Sequence, residues 1–162
     1  MNYYSEQTLI GQVTITEERG FITSLNFGEY KISGKFSYIK NYRSDILKQA
    51  FNQLEEYLLG KRKVFDLPLN PKGTPFQQKV WSALLKIPYG ETRSYKDIAE
   101  MIGKEKSFRA VGTANHENKI PVFIPCHRVI TSEGSIGGYA GGVDLKQKLL
   151  KIEQNAIEKV YL

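Results

Sequence analysis

The chain is 162 residues long, 41% hydrophobic and 25% charged, values normal for a globular protein and suited to one ordinary domain or two small ones. No apolar run approaches the ~20 residues that cross a bilayer, and residues 1–7 lack the basic and apolar regions of a secretory signal. A single cysteine excludes an internal disulfide and a cysteine-rich zinc site, so a free thiol in a reducing cytoplasm is expected, with no metal and no membrane partner.

Net charge is +6 and unevenly spread. Residues from Pro71 onward carry 14 lysines and arginines against 9 acidic residues; those before it carry 9 against 8. A basic second half is the electrostatic footprint of a nucleic-acid binder, although many basic proteins bind no DNA.

In chain order, residues 9–15 and 21–27 alternate apolar with polar around a Thr16-Glu17-Glu18-Arg19-Gly20 turn, which predicts a β-hairpin. Ser44 caps a helix with Leu47, Phe51, Leu54 and Leu58 on one face, closed by Gly60. Residues 64–69 read as a proline-limited edge strand. Nothing in residues 1–70 carries chemistry, and this part reads as a small α/β support domain. Asn70-Pro71-Lys72-Gly73 is the linker to a second domain, residues 71–162.

Thr74-Pro75 starts a helix over residues 76–86 that buries Phe76, Val80, Ala83 and Leu84, with Trp81 beside them as core. Ser94 and Asp97 form a capping box for a helix burying Tyr95, Ile98, Ala99 and Ile102, closed by Gly103. Ser107 caps a second helix over residues 108–115. The pair reads as a helix-turn-helix or as a plain helical hairpin. Arg109 in the first turn and small residues at Ala110, Gly112, Thr113 and Ala114 suit close approach to a duplex, and equally suit tight packing inside the protein.

Residues 120–129, Ile-Pro-Val-Phe-Ile-Pro-Cys-His-Arg-Val, deliver Cys126 at the end of a stiff, apolar segment. A lone cysteine is by default a small buried hydrophobe. Here His127 and Arg128 follow it, surroundings expected to lower the thiol pKa. Farther on, Tyr139 stands among five glycines, which reads as a surface loop or as backbone brought close to a ligand beside one aromatic wall. Asp144 caps a last helix whose Leu145, Leu149 and Ile152 face the core. Glu153 falls at the edge of that face, a position for an exposed charge unless a histidine meets it.

The segments Thr74-Pro75-Phe76-Gln77, Val80-Trp81, Ile87-Pro88-Tyr89-Gly90, Ser94-Tyr95, Arg109-Ala110-Val111-Gly112, Pro125-Cys126-His127-Arg128-Val129, Gly138-Tyr139 and Leu149-Leu150 agree in order and spacing with one family. Across residues 67–154 the chain resembles the O6-alkylguanine-DNA alkyltransferases, and more loosely before that. The resemblance implies a ribonuclease-H-like α/β domain followed by a mostly helical winged helix-turn-helix domain. It implies that Cys126 accepts the alkyl group of O6-methylguanine, and of O4-methylthymine, once per molecule and without a cofactor. His127 would relay the thiol proton through water, with Glu153 orienting it. Asn118 would be the hinge asparagine, Tyr95 would rotate the nucleotide and protonate the leaving guanine, and Arg109 would fill the vacated stack. Ala110, Gly112, Thr113, Ala114 and Arg128 would contact double-stranded DNA from the minor groove, and Tyr139 and Ala140 would wall the base. The protein would be a monomer that can cluster on DNA. Lys119 stands where the family has proline, and Ala140 where some members have a hydroxyl. Two rivals are a Cys–His hydrolase and a DNA-binding regulator with a structural cysteine.

Overall fold

Three strands open the chain, β1 (Asn2–Thr8), β2 (Gly11–Glu18) and β3 (Phe21–Phe27), an antiparallel meander in the computed structural model, which describes residues 1–28 and 40–160. A short β4 (Lys40–Asn41) adds parallel to β1, giving the order β3-β2-β1-β4. The hairpin turn is tighter than the sequence predicts. β2 runs on to Glu18, and only Arg19 and Gly20 turn, with φ of 54° and 83°. Two positive φ values match a two-residue turn whose twist suits the flanking strands. β1 escapes the sequence reading because its Tyr, Ser and Glu side chains are half-buried, its Gln7 is exposed, and the strand shows no aliphatic alternation.

Helix α1 (Asp45–Leu58) starts at Ser44, whose hydroxyl accepts from the Leu47 amide. It buries Leu47, Ala50, Phe51, Leu54 and Tyr57, which form the core of this unit with Val13, Ile15, Ile22 and Leu25 of the sheet. Residues 64–69 are not the edge strand expected. They form a strap joined to β3 by one bridge, Ile22 to Leu69, because Pro68 has no amide to continue a ladder. Gln53 holds the strap at Asp66 with both ends of its amide.

The chain divides at Pro71, and the unit from Lys72 onward is mainly helical. In α2 (Pro75–Leu84), Thr74 and Gln77 complete a capping box, and Val80, Trp81, Ala83 and Leu84 are buried while Phe76 is only half so. In α3 (Tyr95–Met101), Ser94 and Asp97 do the same. Gly103 and Lys104 turn the chain into α4 (Phe108–His116), the second helix of the helix-turn-helix pair. Ser107 makes no side-chain cap there, since its backbone is not extended. The last helix, α5 (Val143–Val160), follows the glycine-rich loop. Between them, β5 (Arg93–Ser94) and β6 (Val129–Ile130) pair in parallel and tie the cysteine segment to the head of α3. The fold class is the one expected, a mixed α/β unit followed by a helical one. Among the described residues no helix is long and apolar enough to cross a membrane.

Thr74 is exposed and its role is confined to the cap, so Thr74→Ala should cost about 1 kcal/mol. Urea unfolding should show a lower midpoint with an unchanged slope.

Candidate active site

Cys126 opens a single 3-10 turn, Cys126–Arg128, at the end of a segment in which every residue from Ile120 to Val129 is buried. The route to it is a tight fold rather than a strand. Ile124 donates its amide to the Ile120 carbonyl, and Val122 sits at φ 74°, a strained value for a β-branched residue. Asn118 braces this fold from both ends of its amide. Its Oδ1 accepts from the Ile120 amide at 3.1 Å, and its Nδ2 donates to the Ile124 carbonyl at 2.9 Å. Asn115 of α4, a residue that sequence reasoning passes over, donates to the Cys126 carbonyl at 3.3 Å.

Behind the cysteine lies a buried charge array built on Glu153. Its Oε2 meets His127 Nε2 at 2.6 Å and Arg128 Nη2 at 3.1 Å; its Oε1 accepts from Arg128 Nε and the Gly90 amide, both at 2.9 Å. Arg128 also donates to the Ile87 carbonyl at 2.7 Å, and its guanidinium lies 5.7 Å from the Tyr89 ring centre. Glycine is favoured at position 90: its φ is 80°, a strained value for other residues, and a Cβ there would displace the Ile157 side chain, whose Cδ1 would lie 1.8 Å away. Burial alone would raise the Glu153 carboxyl, but hydrogen bonds and charge from His127 and Arg128 outweigh it and hold it at about 2. Burial drives His127 below the ordinary imidazole value against the pull of Glu153. A neutral ring that donates Nε2–H to Glu153 keeps its lone pair on Nδ1.

Three expectations need correction. The thiol pKa is not lowered: burial pushes it up to about 11, outweighing a hydrogen bond from the Asn118 side chain and the charge of Lys146. The reason is geometric, because Arg128 is committed to Glu153 and His127 is neutral. Cys126 is therefore a thiol at rest. Arg128 is also no surface contact for DNA, being buried and saturated by Glu153 and Ile87. Ala114 is likewise 2% exposed, and its carbonyl accepts the Trp81 indole N–H at 2.9 Å, so it faces the core rather than a duplex.

The remaining positions fall into two groups. Arg109, Ala110 and Thr113 share the exposed face of α4. Gly112 is half-buried and looks toward the Tyr95 ring. It joins Tyr95, Asn115, His116, Gly138, Tyr139 and Ala140 in lining a cavity of about 220 Å³. That is smaller than the ~300–1,000 Å³ of drug-sized sites and suits one flat ring system. Burial, then the nearby Cys126, raises both the Tyr95 and Tyr139 hydroxyl pKa values, so both stay protonated donors at neutral pH. Lys146 of α5, fully buried, is the other residue that sequence reasoning misses. Its spacing to Leu149 and Glu153, three and then four residues, places it on the buried stripe and is the available signal. Among the described residues no group of three His, Cys, Asp or Glu could hold a metal ion.

A carboxyl held at about 2 when folded and 4.5 ordinarily stabilises the fold above pH 4.5, and loses that effect as pH falls through about 2. Glu153→Gln should therefore unfold more easily than the parent at pH 6, by about 3 kcal/mol or more. The gap in urea midpoints should shrink between pH 4.5 and 2.

Comparison with known proteins agrees across both units. Residues 1–71 match the family model "6-O-methylguanine DNA methyltransferase, ribonuclease-like domain", and residues 75–155 match the corresponding "DNA binding domain". The constitutive methylated-DNA–protein-cysteine methyltransferase of Bacillus subtilis is 47% identical over 95% of this chain and 96% of its own length. The methylated-DNA–protein-cysteine methyltransferase of Methanosarcina barkeri is 46% identical over 96% and 98%. The crystal structure of Mycobacterium tuberculosis OGT in complex with DNA superposes with a TM-score of 0.88 at 39% identity, covering 96% of this chain and 94% of that one. By sequence over nearly its whole length and by fold, the chain belongs to the methylated-DNA–protein-cysteine methyltransferase family.

Proposed function

We propose that this protein repairs DNA by moving the alkyl group of O6-methylguanine onto Cys126, one lesion per molecule. The observation that carries the reading is a single buried thiol, next in sequence to a His127 paired with Glu153 and within electrostatic reach of Tyr95 and Tyr139, which line a base-sized cavity. The relatives' shared name supplies the substrate class.

In the reaction, Cys126 Sγ attacks the methyl carbon in line with the carbon–O6 bond. An S–C bond forms, the C–O6 bond breaks, and guanine leaves with the bonding electrons. The thiol proton passes by way of water to His127 Nδ1, whose ring Glu153 orients and whose charged form that carboxylate stabilises. The Tyr95 hydroxyl, kept protonated, supplies a proton to the departing base. Asn118 fixes the turn that aims the sulfur. Tyr139 and the backbone around Ala140 wall the base. A thioether is a poor leaving group, and no further reactant is called on to remove it, so the reaction ends there.

The lesion must leave the duplex to enter so small a cavity, at a cost of a few kcal/mol that is least for a damaged pair. The exposed face of α4 with Arg109, Ala110 and Thr113 supports binding in the minor groove, with Arg109 filling the stack. The first unit is support, the second binds DNA and accepts the alkyl group, and the protein works as a monomer. A single free cysteine suits a reducing cytoplasm. A Cys–His hydrolase would need a thiolate–imidazolium pair, and a neutral histidine beside a thiol near 11 does not favour one.

The test is a duplex carrying one O6-methylguanine, followed by intact mass and peptide mapping. One methyl group on Cys126, saturating at one equivalent, is the expected result; repeated turnover or unmodified protein would overturn the assignment. Cys126→Ser should bind the duplex and transfer nothing. Arg109→Ala should slow transfer from duplex DNA at least about tenfold while sparing transfer from the free alkylated base, because only the former requires flipping.

A further inference from the structure

A phenylalanine left partly in water at the head of a helix forgoes the stabilisation that burial of its ring would give. Phe108, the first residue of α4, is 38% exposed. Lys96 Nζ of α3 stands over its ring, 5.6 Å from the centre. That contact joins the heads of the two helices and orients the ring without burying it. The surroundings are basic: in residues 104–109, Lys104, Lys106 and Arg109 are exposed, and Glu105 is the one acid among them. An exposed aromatic face among cationic side chains is the combination that binds unstacked bases, the ring taking the base and the charges drawing the phosphates.

The position of Phe108 on its helix ties it to the candidate site. Residues four and seven apart share one stripe of an α-helix. Phe108 therefore heads the stripe of Gly112 and Asn115, both of which line the base-sized cavity. Gly112 lies against Tyr95, a Cβ there falling 3.7 Å from the ring. Arg109 heads the neighbouring stripe with Thr113 and His116, and His116 is again part of the cavity wall. Two adjacent stripes thus run from the cavity to the start of α4, one ending in a phenyl ring and the other in a guanidinium. A helical turn rises about 5.4 Å and stacked bases stand about 3.4 Å apart, so a ring one turn from the cavity wall meets the step beside a base held in the cavity.

We propose that Phe108 is a DNA-binding residue: its ring enters the minor groove beside Arg109 and stacks on a base of the step next to the flipped lesion, with Lys96 holding the ring from its other side. The proposal rests on the DNA-repair reading above and adds a second side chain that opens the duplex. The two have different tasks. Arg109 fills the vacated position with charge and hydrogen bonds, whereas Phe108 wedges the neighbouring step, as apolar side chains do when they unstack bases from the minor groove. An aromatic face stacks on any base, so the contact serves lesions in every sequence context.

The experiment measures affinity for a duplex carrying one O6-methylguanine across a range of salt, in the full-length protein with Cys126→Ser to prevent transfer. Adding Phe108→Ala should weaken binding at least about fivefold at every salt concentration, the low end for one lost base–aromatic stack. The slope of log affinity against log salt should not change, because a phenyl ring releases no counterions. Phe108→Trp should restore the affinity and Phe108→Leu should not. With Cys126 in place, Phe108→Ala should slow transfer from the duplex and leave transfer from the free O6-methylguanine base at the wild-type rate. Unchanged affinity and duplex rate would overturn the proposal. So would a loss that comes with a shallower salt slope or slower free-base transfer, the signature of a displaced α4. Should Phe108→Ala fail to fold, Phe108→Leu, which keeps apolar packing without the stacking face, decides by the same criteria. If the wild-type chain binds no duplex, the DNA-repair reading falls and the proposal with it; if it binds but transfers nothing, the affinity measurements alone decide Phe108.

Discussion

One buried carboxylate holds the reactive half of this protein together. Glu153 reaches the interior from α5 and receives four hydrogen bonds, two on each oxygen, from His127, Arg128 and the Gly90 amide. An isolated carboxylate would be severely destabilising at this depth; four donors, two from one planar guanidinium, are what make it tolerable. The network joins three stretches far apart in sequence: the loop after α2, the turn that opens with Cys126 and the last helix. A residue with a part in the proposed chemistry is therefore also a structural junction. The geometry of His127 is fixed by folding itself, with no part left to a flexible surface loop.

The same burial explains the resting state of the sulfur. In low dielectric the thiol outlasts the thiolate, and burial sets its pKa at about 11 against weaker opposing effects. A cysteine kept in this form is a poor target for stray electrophiles and oxidants, which react with thiolate. In the proposed reaction, the neutral imidazole next in sequence takes the proton. In the proposed reaction enclosure and activation are separate devices: burial keeps the sulfur protonated, and the His127–Glu153 pair is there to receive its proton.

Much of the frame was legible in residue order, and the gaps have physical causes. Helices α1, α2 and α3 announce themselves because cap, period and stop agree at Ser44, Thr74 and Ser94. Cys126 stands out by its flanking prolines. The strap at residues 64–69 misleads because its apolar composition suggests a strand that Pro68 prevents. Glu153 is ambiguous on its own helix, since only a partner 26 residues away shows whether it is buried. Lys146 is hidden by chemistry: lysine reads as surface, and the Val129 and Gly138 carbonyls that accept its hydrogen bonds carry no side-chain signature. Arg128 misleads in the opposite sense, because a basic residue in a basic domain suggests DNA while its guanidinium fits an internal carboxylate. Local propensity reads caps and periods, whereas pairing across the interior depends on distances the chain order does not display.

Trp81 adds a property of a different kind. It is the single tryptophan of the chain, buried to 1% exposure on α2, and its indole N–H is bonded to the Ala114 carbonyl on α4. Indole emission depends on the polarity and hydrogen bonding of that N–H, so the tryptophan emission of this protein, excited apart from its ten tyrosines, comes from one site and reports on one helix junction. A shift of α4 against α2 perturbs the bond directly. The helix whose outer face carries Arg109 is thus wired on its inner face to a native optical reporter, and its movements can be followed in time without attaching a dye.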